Sequence, residues 1–303
     1  MMKNVLKVFI LIVAFSILGS AASNAKLKAL VYEFINDKEG AAIFAWGEIE
    51  KAQKAGEFAV LEFSKQSGFV FSISTELGRE NAKKALAETG AELIVWGRIE
   101  GTITMIGISW RGRQAQDSQA FEGAPVTQFL FFFKDHDLKT SSDVLIQTLK
   151  AFNRYIARDY EQSRAILEKL FETSDQNFSL DDVSLLRGWC WIKKYSGSLD
   201  PNDFDMAKRA LLLPFKRIKE RENPLLAGSL KASLSYLYLL RSACDPKSPA
   251  DLKDSAKSLA GQAIDLFKVA NMQQLEAEAN NLIKSQLACP QQGEPTNKSP
   301  ESQ

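Results

Sequence analysis

A serine-type catalytic triad needs a histidine, and the 303-residue chain has one, His136. It lies in KDHDL, between Asp135 and Asp137, whose charges keep such a segment in water. An exposed loop histidine explains it better than a Ser-His-Asp site. The cysteines are Cys190, Cys244 and Cys289; no Cys-x-x-Cys pair exists, so a zinc ribbon is excluded. Cys190 stands between Trp189 and Trp191 in an apolar helical stretch, the setting of a buried thiol acting as a small hydrophobe rather than a nucleophile. Cys244 and Cys289 each end a helical segment beside a proline-containing loop (CDP and ACP), and in an oxidising compartment they are the pair expected to join. Neighbouring carboxylates occur at Glu48 and Glu50 and at Asp181 and Asp182. Close neighbours on a helix point to different sides, and polar surroundings would not separate their pKa values, so these read as solvated surface. There is no Walker A loop and no GxGxxG; Gly40 at a helix start is explained by a turn as well as by an anion site. Nothing here calls for a metal or cofactor, and no enzyme is expected.

The remaining chemistry-bearing set is aromatic and cationic. Trp189, Trp191, Tyr195, Tyr236 and Tyr238 share helical segments with Arg154, Arg158, Arg187, Lys193, Lys194 and Arg241. If those segments stack as hairpins, the first helices line a concave wall where cations can pair with acidic groups of a peptide. The candidate peptide-groove residues are Arg154, Arg158, Arg187, Trp191, Lys194, Tyr236 and Arg241. Each aromatic taken singly is better explained as core, because large aromatics are mostly buried. PFKRIKERE (214–222), basic and then acidic, reads as a solvated helix face.

The elements that must position these residues follow from pattern. Apolar residues make up 45% and charged residues 25% of the chain, which suits a sizeable globular core. The formal net charge of +1 argues against a dedicated nucleic-acid binder. Residues 1–25 read as an export signal: Lys3 and Lys7, then VFILIVAFSIL, then small residues with Ser23 and Ala25 at the cleavage positions. That apolar run is short against the roughly 20 residues of a spanning helix, so a periplasmic or secreted chain without stable membrane insertion is expected.

From 26 to 138 the pattern is β-α-β-α-β-β-β. Lys26–Ile35 is a strand, and Ala41–Ala55 a helix with Ile43, Phe44, Trp46 (half exposed) and Ile49 inward. Phe58–Phe63 is the second strand, and 64–74 is open between strand and apolar loop. A helix from Thr75 buries Leu77, Ala82, Ala85 and Leu86 and stops at Gly90, where a left-handed residue is wanted. Leu93–Trp96 is a strand apolar on both faces and forms a hairpin with Ile103–Trp110; Arg111–Pro125 is a loop and Val126–Phe133 the last strand. These describe a small mixed-sheet α/β domain.

From Ser141 to Cys289 the period is helical. One helix opens at Ser141 or Ser142 and runs through Leu145, Leu149, Phe152, Tyr155 and Ile156, and Asp159 makes the turn into a second. Val183–Tyr195 with Phe204–Arg221, and Ala227–Ala243 with Ala250–Val269, form two further pairs, and Leu275–Leu287 caps the series. Residues 290–303 (PQQGEPTNKSPESQ) are low in complexity and expected to be disordered.

Two resemblances sharpen this. AELIVWGRIEG after NAKKALAETG is similar to the small α/β domain that precedes tetratricopeptide repeats in secreted bacterial proteins, and to the amino-terminal domain of TolB. It covers about residues 27–135 and brings no catalytic residues. IARDYEQSRAILEKLFETSDQN resembles a tetratricopeptide repeat. Tyr160 takes the turn position, Ser163 stands for the small alanine, and Leu167 and Leu170 fill the next packing positions; Asp175 replaces the expected proline. Gly188, Ala207 and Ala256 occupy further small-residue positions. The spacings of Ser163, Ala207 and Ala256, about 44 and 49 residues, exceed the roughly 34 of a standard repeat. The resemblance implies an all-α helical-hairpin array acting as an exported, non-enzymatic scaffold for a protein or peptide partner. The alternative is a small-ligand module using the α/β domain.

Overall fold

The computed structural model describes residues 28–32, 34–35, 41–54, 59–64, 76–91, 93–100, 103–110, 128–134, 138–156, 159–173, 181–216, 218–220, 223–284, 287 and 289. His136, Arg158, Gly40, residues 1–25 and the tail lie outside them, as do the side chains of Phe44, Leu77, Ala82 and Asp182. The fold is helix-rich α+β.

Five strands form one mixed sheet in the order β2-β1-β3-β4-β5: β1 Lys28–Tyr32, β2 Ala59–Ser64, β3 Leu93–Glu100, β4 Ile103–Trp110 and β5 Gln128–Lys134. β1 pairs in parallel with β2 and β3, which requires crossovers; α1 (Ala41–Lys54) and α2 (Glu76–Thr89) are the helices in those connections. β3, β4 and β5 are antiparallel neighbours. Leu30, Val31, Ile94, Val95 and Trp96 are all buried, so both faces of the central strands are covered, as their continuous apolar run requires. Gly90 ends α2 at φ 64°, the left-handed conformation that glycine adopts without a Cβ clash. On α1, Trp46 is half-buried and Ile49 is fully buried, but Ile43 is 66% exposed, against expectation.

Among the described residues seven helices follow: α3 Leu138–Ile156, α4 Tyr160–Thr173, α5 Asp181–Ser198, α6 Pro201–Leu212, α7 Pro224–Cys244, α8 Leu252–Val269 and α9 Gln273–Lys284. Consecutive helices pack in pairs, α3 on α4, α5 on α6 and α7 on α8, and α9 lies on α8. Several boundaries move from those read in the sequence. No Gly or Pro separates Leu138 from Ser141, so α3 starts earlier. α6 begins at Pro201, whose missing N–H costs nothing in the first turn, and Asp200 caps it by accepting from the Asn202 N–H at 2.9 Å. It ends near Pro214, which cannot extend a helix, and a short 3-10 turn (Pro214–Lys216) replaces the helix expected to reach Arg221. α7 likewise starts on Pro224, capped by Asn223.

Small residues set the close approaches. Ser163 is fully buried and donates to the Ala151 carbonyl at 2.8 Å, joining α4 to α3. A Cβ at Gly188 would fall inside the Leu211 side chain, and at Gly228 it would lie 2.7 Å from the Phe267 ring. Ala207, Ala256, Ala260 and Ala263 are fully buried. One apolar cluster runs from Val31, Phe34, Ile49 and Val95 of the sheet region through α3 to α9, and α1 packs on α3. The sheet and the helices thus share a core.

Candidate functional site

The hairpin helices bring the aromatic and cationic residues together around α5. At the α3–α4 turn, Tyr155 meets Tyr160 edge-on with ring centroids 5.2 Å apart, and Trp189 at 6.1 Å. Burial, with smaller contributions from Cys190, Tyr160 and Tyr236, pushes the Tyr155 phenol well above its ordinary range. Trp189 donates its indole N–H to Ser233 Oγ at 2.9 Å, and Ser233 donates to the Ser229 carbonyl at 2.8 Å, which ties α5 to α7. Cys190 donates its thiol to Ser163 Oγ at 3.2 Å. Burial raises the thiol to about 12, despite the Ser163 hydrogen bond and the Arg164 charge, so it is no nucleophile. Lys193 lies 5.8 Å from the Tyr160 ring centroid, and burial lowers its ammonium to about 8.

One turn along, Glu168 of α4 accepts two hydrogen bonds from Arg187, Nε at 2.8 Å and a terminal nitrogen at 2.5 Å, and one from the Trp191 indole at 2.7 Å. Burial alone would raise the Glu168 carboxyl; the Arg187 and Trp191 hydrogen bonds and the Arg187 and Arg164 charges overcome it and hold the group below its usual range. The Trp191 ring faces two cations, Arg164 at 4.6 Å and Lys194 at 5.0 Å, and Arg187 lies 4.7 Å from the Phe171 ring. This is a bidentate pair embedded in aromatics, a clasp between hairpins rather than a reaction centre.

The candidate groove residues therefore fall into two groups. Arg187, Trp191 and Tyr236 do not line an open wall. Trp191 and Tyr236 are 6% and 7% exposed, and Arg187 is closed onto Glu168. The reason is that α5 and α7 are central helices: every residue from Leu226 to Leu237 of α7 is buried, as are Val183–Leu186 and Gly188–Ile192 of α5. The turn after α6 closes over α7 as well, with Lys231 pairing with Glu220 at 2.8 Å and donating to Gln262 at 2.6 Å, and the Phe215 ring 5.7 Å away.

The second group forms a series. Arg154 near the end of α3 lies 3.6 Å from Asp159, Lys194 near the end of α5 lies 3.0 Å from Asp203, and Arg241 near the end of α7 lies 3.8 Å from Asp245. In each hairpin a cation in the last turns of the first helix meets an aspartate that follows it in the chain. Asp203 also accepts from Ser198 at 2.7 Å, and Arg241 lies 4.2 Å from the Phe204 ring. Sequence reading missed Glu168, Asp203 and Lys231. Asp203 had one signal, an acid in the first turn after a capped proline; Glu168 had none beyond following the packing residue Leu167.

Cys244, the last residue of α7, is joined to Cys289. Among the described residues no group of three or more His, Cys, Asp or Glu side chains could hold a metal ion, and no helix is long and apolar enough to cross a membrane. Comparison of the chain with protein-family models, with curated proteins and with solved structures finds no match.

Proposed function

We propose that the chain is an exported, non-enzymatic adaptor whose helices form a tetratricopeptide-like array and meet a protein or peptide partner. The partner surface is the edge where each first helix ends. One observation carries this reading: in three consecutive hairpins a cation near the end of the first helix pairs with a later aspartate, Asp159 in the turn, Asp203 in the second helix and Asp245 at the C-cap. The Arg154–Asp159 pair is the exposed one of the three, and such a pair contributes only about 0–1 kcal/mol to stability, so a partner's carboxylate can exchange with Asp159 at little cost, whereas Asp203 is buried. The aromatics serve the interior, and the small residues Ser163, Gly188, Ala207 and Ala256 suit the family's packing positions. Export is supported by the signal-like pattern of residues 1–25 and by the Cys244–Cys289 bond, of a kind that persists in oxidising compartments.

The test is site-specific photo-crosslinking in the producing cell. A photoreactive residue at 154, 194 or 241 should yield an adduct of one common mass, whereas exposed positions 169 and 257 should not. Adducts from neither set, or equally from both, would refute the reading.

A further inference from the structure

The sheet has two edges, and they differ. β2 carries a charge within the strand, Glu62, and its pairing with β1 is interrupted by a register shift between Ala29 and Leu30. Charges and bulges of this kind blunt a sheet edge against further pairing. β5 has neither. Its seven residues (QFLFFFK) pair with β4 without interruption from Gln128 to Lys134, and Gln128–Phe133 carries no charge. Among the described residues β4 is the one strand paired with β5, and α5 packs against it. An unbroken, aromatic edge with its single charge at one end presents a row of backbone donors and acceptors that favours addition of another strand.

We propose that this edge pairs antiparallel with β5 of a second copy, carrying the sheet through a two-fold axis to ten strands. The sequence of the strand suits itself in that register. With Phe131 on the axis, Phe131 faces Phe131, Leu130 faces Phe132 and Phe129 faces Phe133, all pairs of the kind that stabilise a sheet. Gln128 faces Lys134 of the second copy, so full overlap of the seven residues places the two lysines at opposite ends and no like charges meet. A two-fold contact of one patch with itself is the commonest route to a closed assembly.

The experiment uses the whole chain with its disulfide formed. Sedimentation velocity across a concentration series should show a monomer–dimer equilibrium. Gln128→Lys sets two like-charge pairs opposite each other in the dimer and should raise the dimer Kd by roughly 2- to 30-fold, with an unchanged circular dichroism spectrum. Register is read separately by a short bismaleimide, since residues opposed across strands have Cα atoms about 4.5–5.5 Å apart. Phe131→Cys should crosslink to itself. If that variant fails to fold, a mixture of Gln128→Cys and Lys134→Cys should crosslink while neither does alone; the buried Cys190 does not compete. A chain monomeric at every concentration, a Gln128→Lys variant that associates as well as the parent, or crosslinks that ignore register would overturn the proposal. So would protection of β5 by an extended segment of the same chain or of another protein.

Discussion

Removing the bond between Cys244 and Cys289 perturbs the far end of the helical series in a defined way. The two residues are 45 apart in sequence, and the loop they close contains α8 and α9. The loop-closure entropy withheld from the unfolded chain by such a link amounts to about 4 kcal/mol at 25 °C. Residual structure in the unfolded chain lowers the observed figure, so the double variant Cys244→Ser/Cys289→Ser should lose about 2–4 kcal/mol. Replacing both cysteines avoids leaving a new free thiol beside Cys190. With a urea dependence of about 2–3 kcal/mol per molar, the midpoint read by circular dichroism should fall by about 1 M. The m-value should rise, because the unlinked unfolded chain exposes more surface. Hydrogen exchange should lose protection first in α9, which is held by α8 and by the cysteine that follows it, and last in α7, whose Leu226–Leu237 stretch is buried throughout. A midpoint shift below about 0.3 M with an unchanged m-value would refute the argument that the link acts on the unfolded chain.

Glu168→Gln removes the carboxylate that Arg187 and Trp191 share, and should cost about 2 kcal/mol in urea unfolding at neutral pH. Because the folded Glu168 pKa is depressed, its contribution is present above the unfolded carboxyl value of about 4.3 and is lost as pH falls through the folded value. The difference between variant and parent should therefore shrink at acid pH, and a difference that grows there would contradict the assignment. Gly228→Ala places a methyl group against the Phe267 ring and should destabilise by about 1–3 kcal/mol despite the better helix propensity of alanine; pairing it with Phe267→Leu should recover part of the loss in a double-mutant cycle. Cys190, buried and raised to about 12, should resist a thiol reagent in the native protein and react at the rate of unfolding; immediate labelling at neutral pH would show the site to be open.

The sequence was legible where the signal is local and illegible where it depends on residues far along the chain. β3 and its hairpin with β4, Gly90 at the end of α2, and Ser163 at the α3–α4 crossing each carry a local signature: an apolar run, a glycine after the last turn, a small residue at a helix approach. Asp200 and Pro201 also carry one, a cap followed by a proline, and the helix starts there rather than at Phe204. Pro214 is a local breaker of the same kind, and the helix ends just before it. Glu168 was not legible. Its partners lie 19 and 23 residues away on another helix, and no spacing within α4 distinguishes it from the exposed Glu161 and Glu172. Long-range ion pairs are set by how helices pack, which one-dimensional pattern does not encode.

The unbroken burial of Leu226–Leu237 in α7 has a consequence for where a partner can bind. A helix in an open curved array keeps one stripe toward the concave side, so its sequence alternates apolar and polar with the helical period. α7 instead buries Ser229, Lys231, Ser233 and Ser235 along with its leucines. Two of these polar side chains are partnered inward: Ser233 accepts from Trp189, and Lys231 pairs with Glu220 and Gln262, while the buried Ser235 hydroxyl has no hydrogen-bond partner among the described residues. Polar residues at such positions carry a desolvation cost that those partners offset, so they cannot also serve an external ligand without leaving a buried group unpaired. Recognition must then fall to side chains whose present partners are half in water. Arg154 meets that condition most clearly, with 53% of its side chain exposed and Asp159 3.6 Å away. Charge reversal at Arg154 should therefore weaken partner capture at least tenfold while shifting the urea midpoint by less than about 0.3 M, since an exposed pair is worth about 1 kcal/mol or less. Equal loss of stability and capture would instead assign Arg154 to the fold.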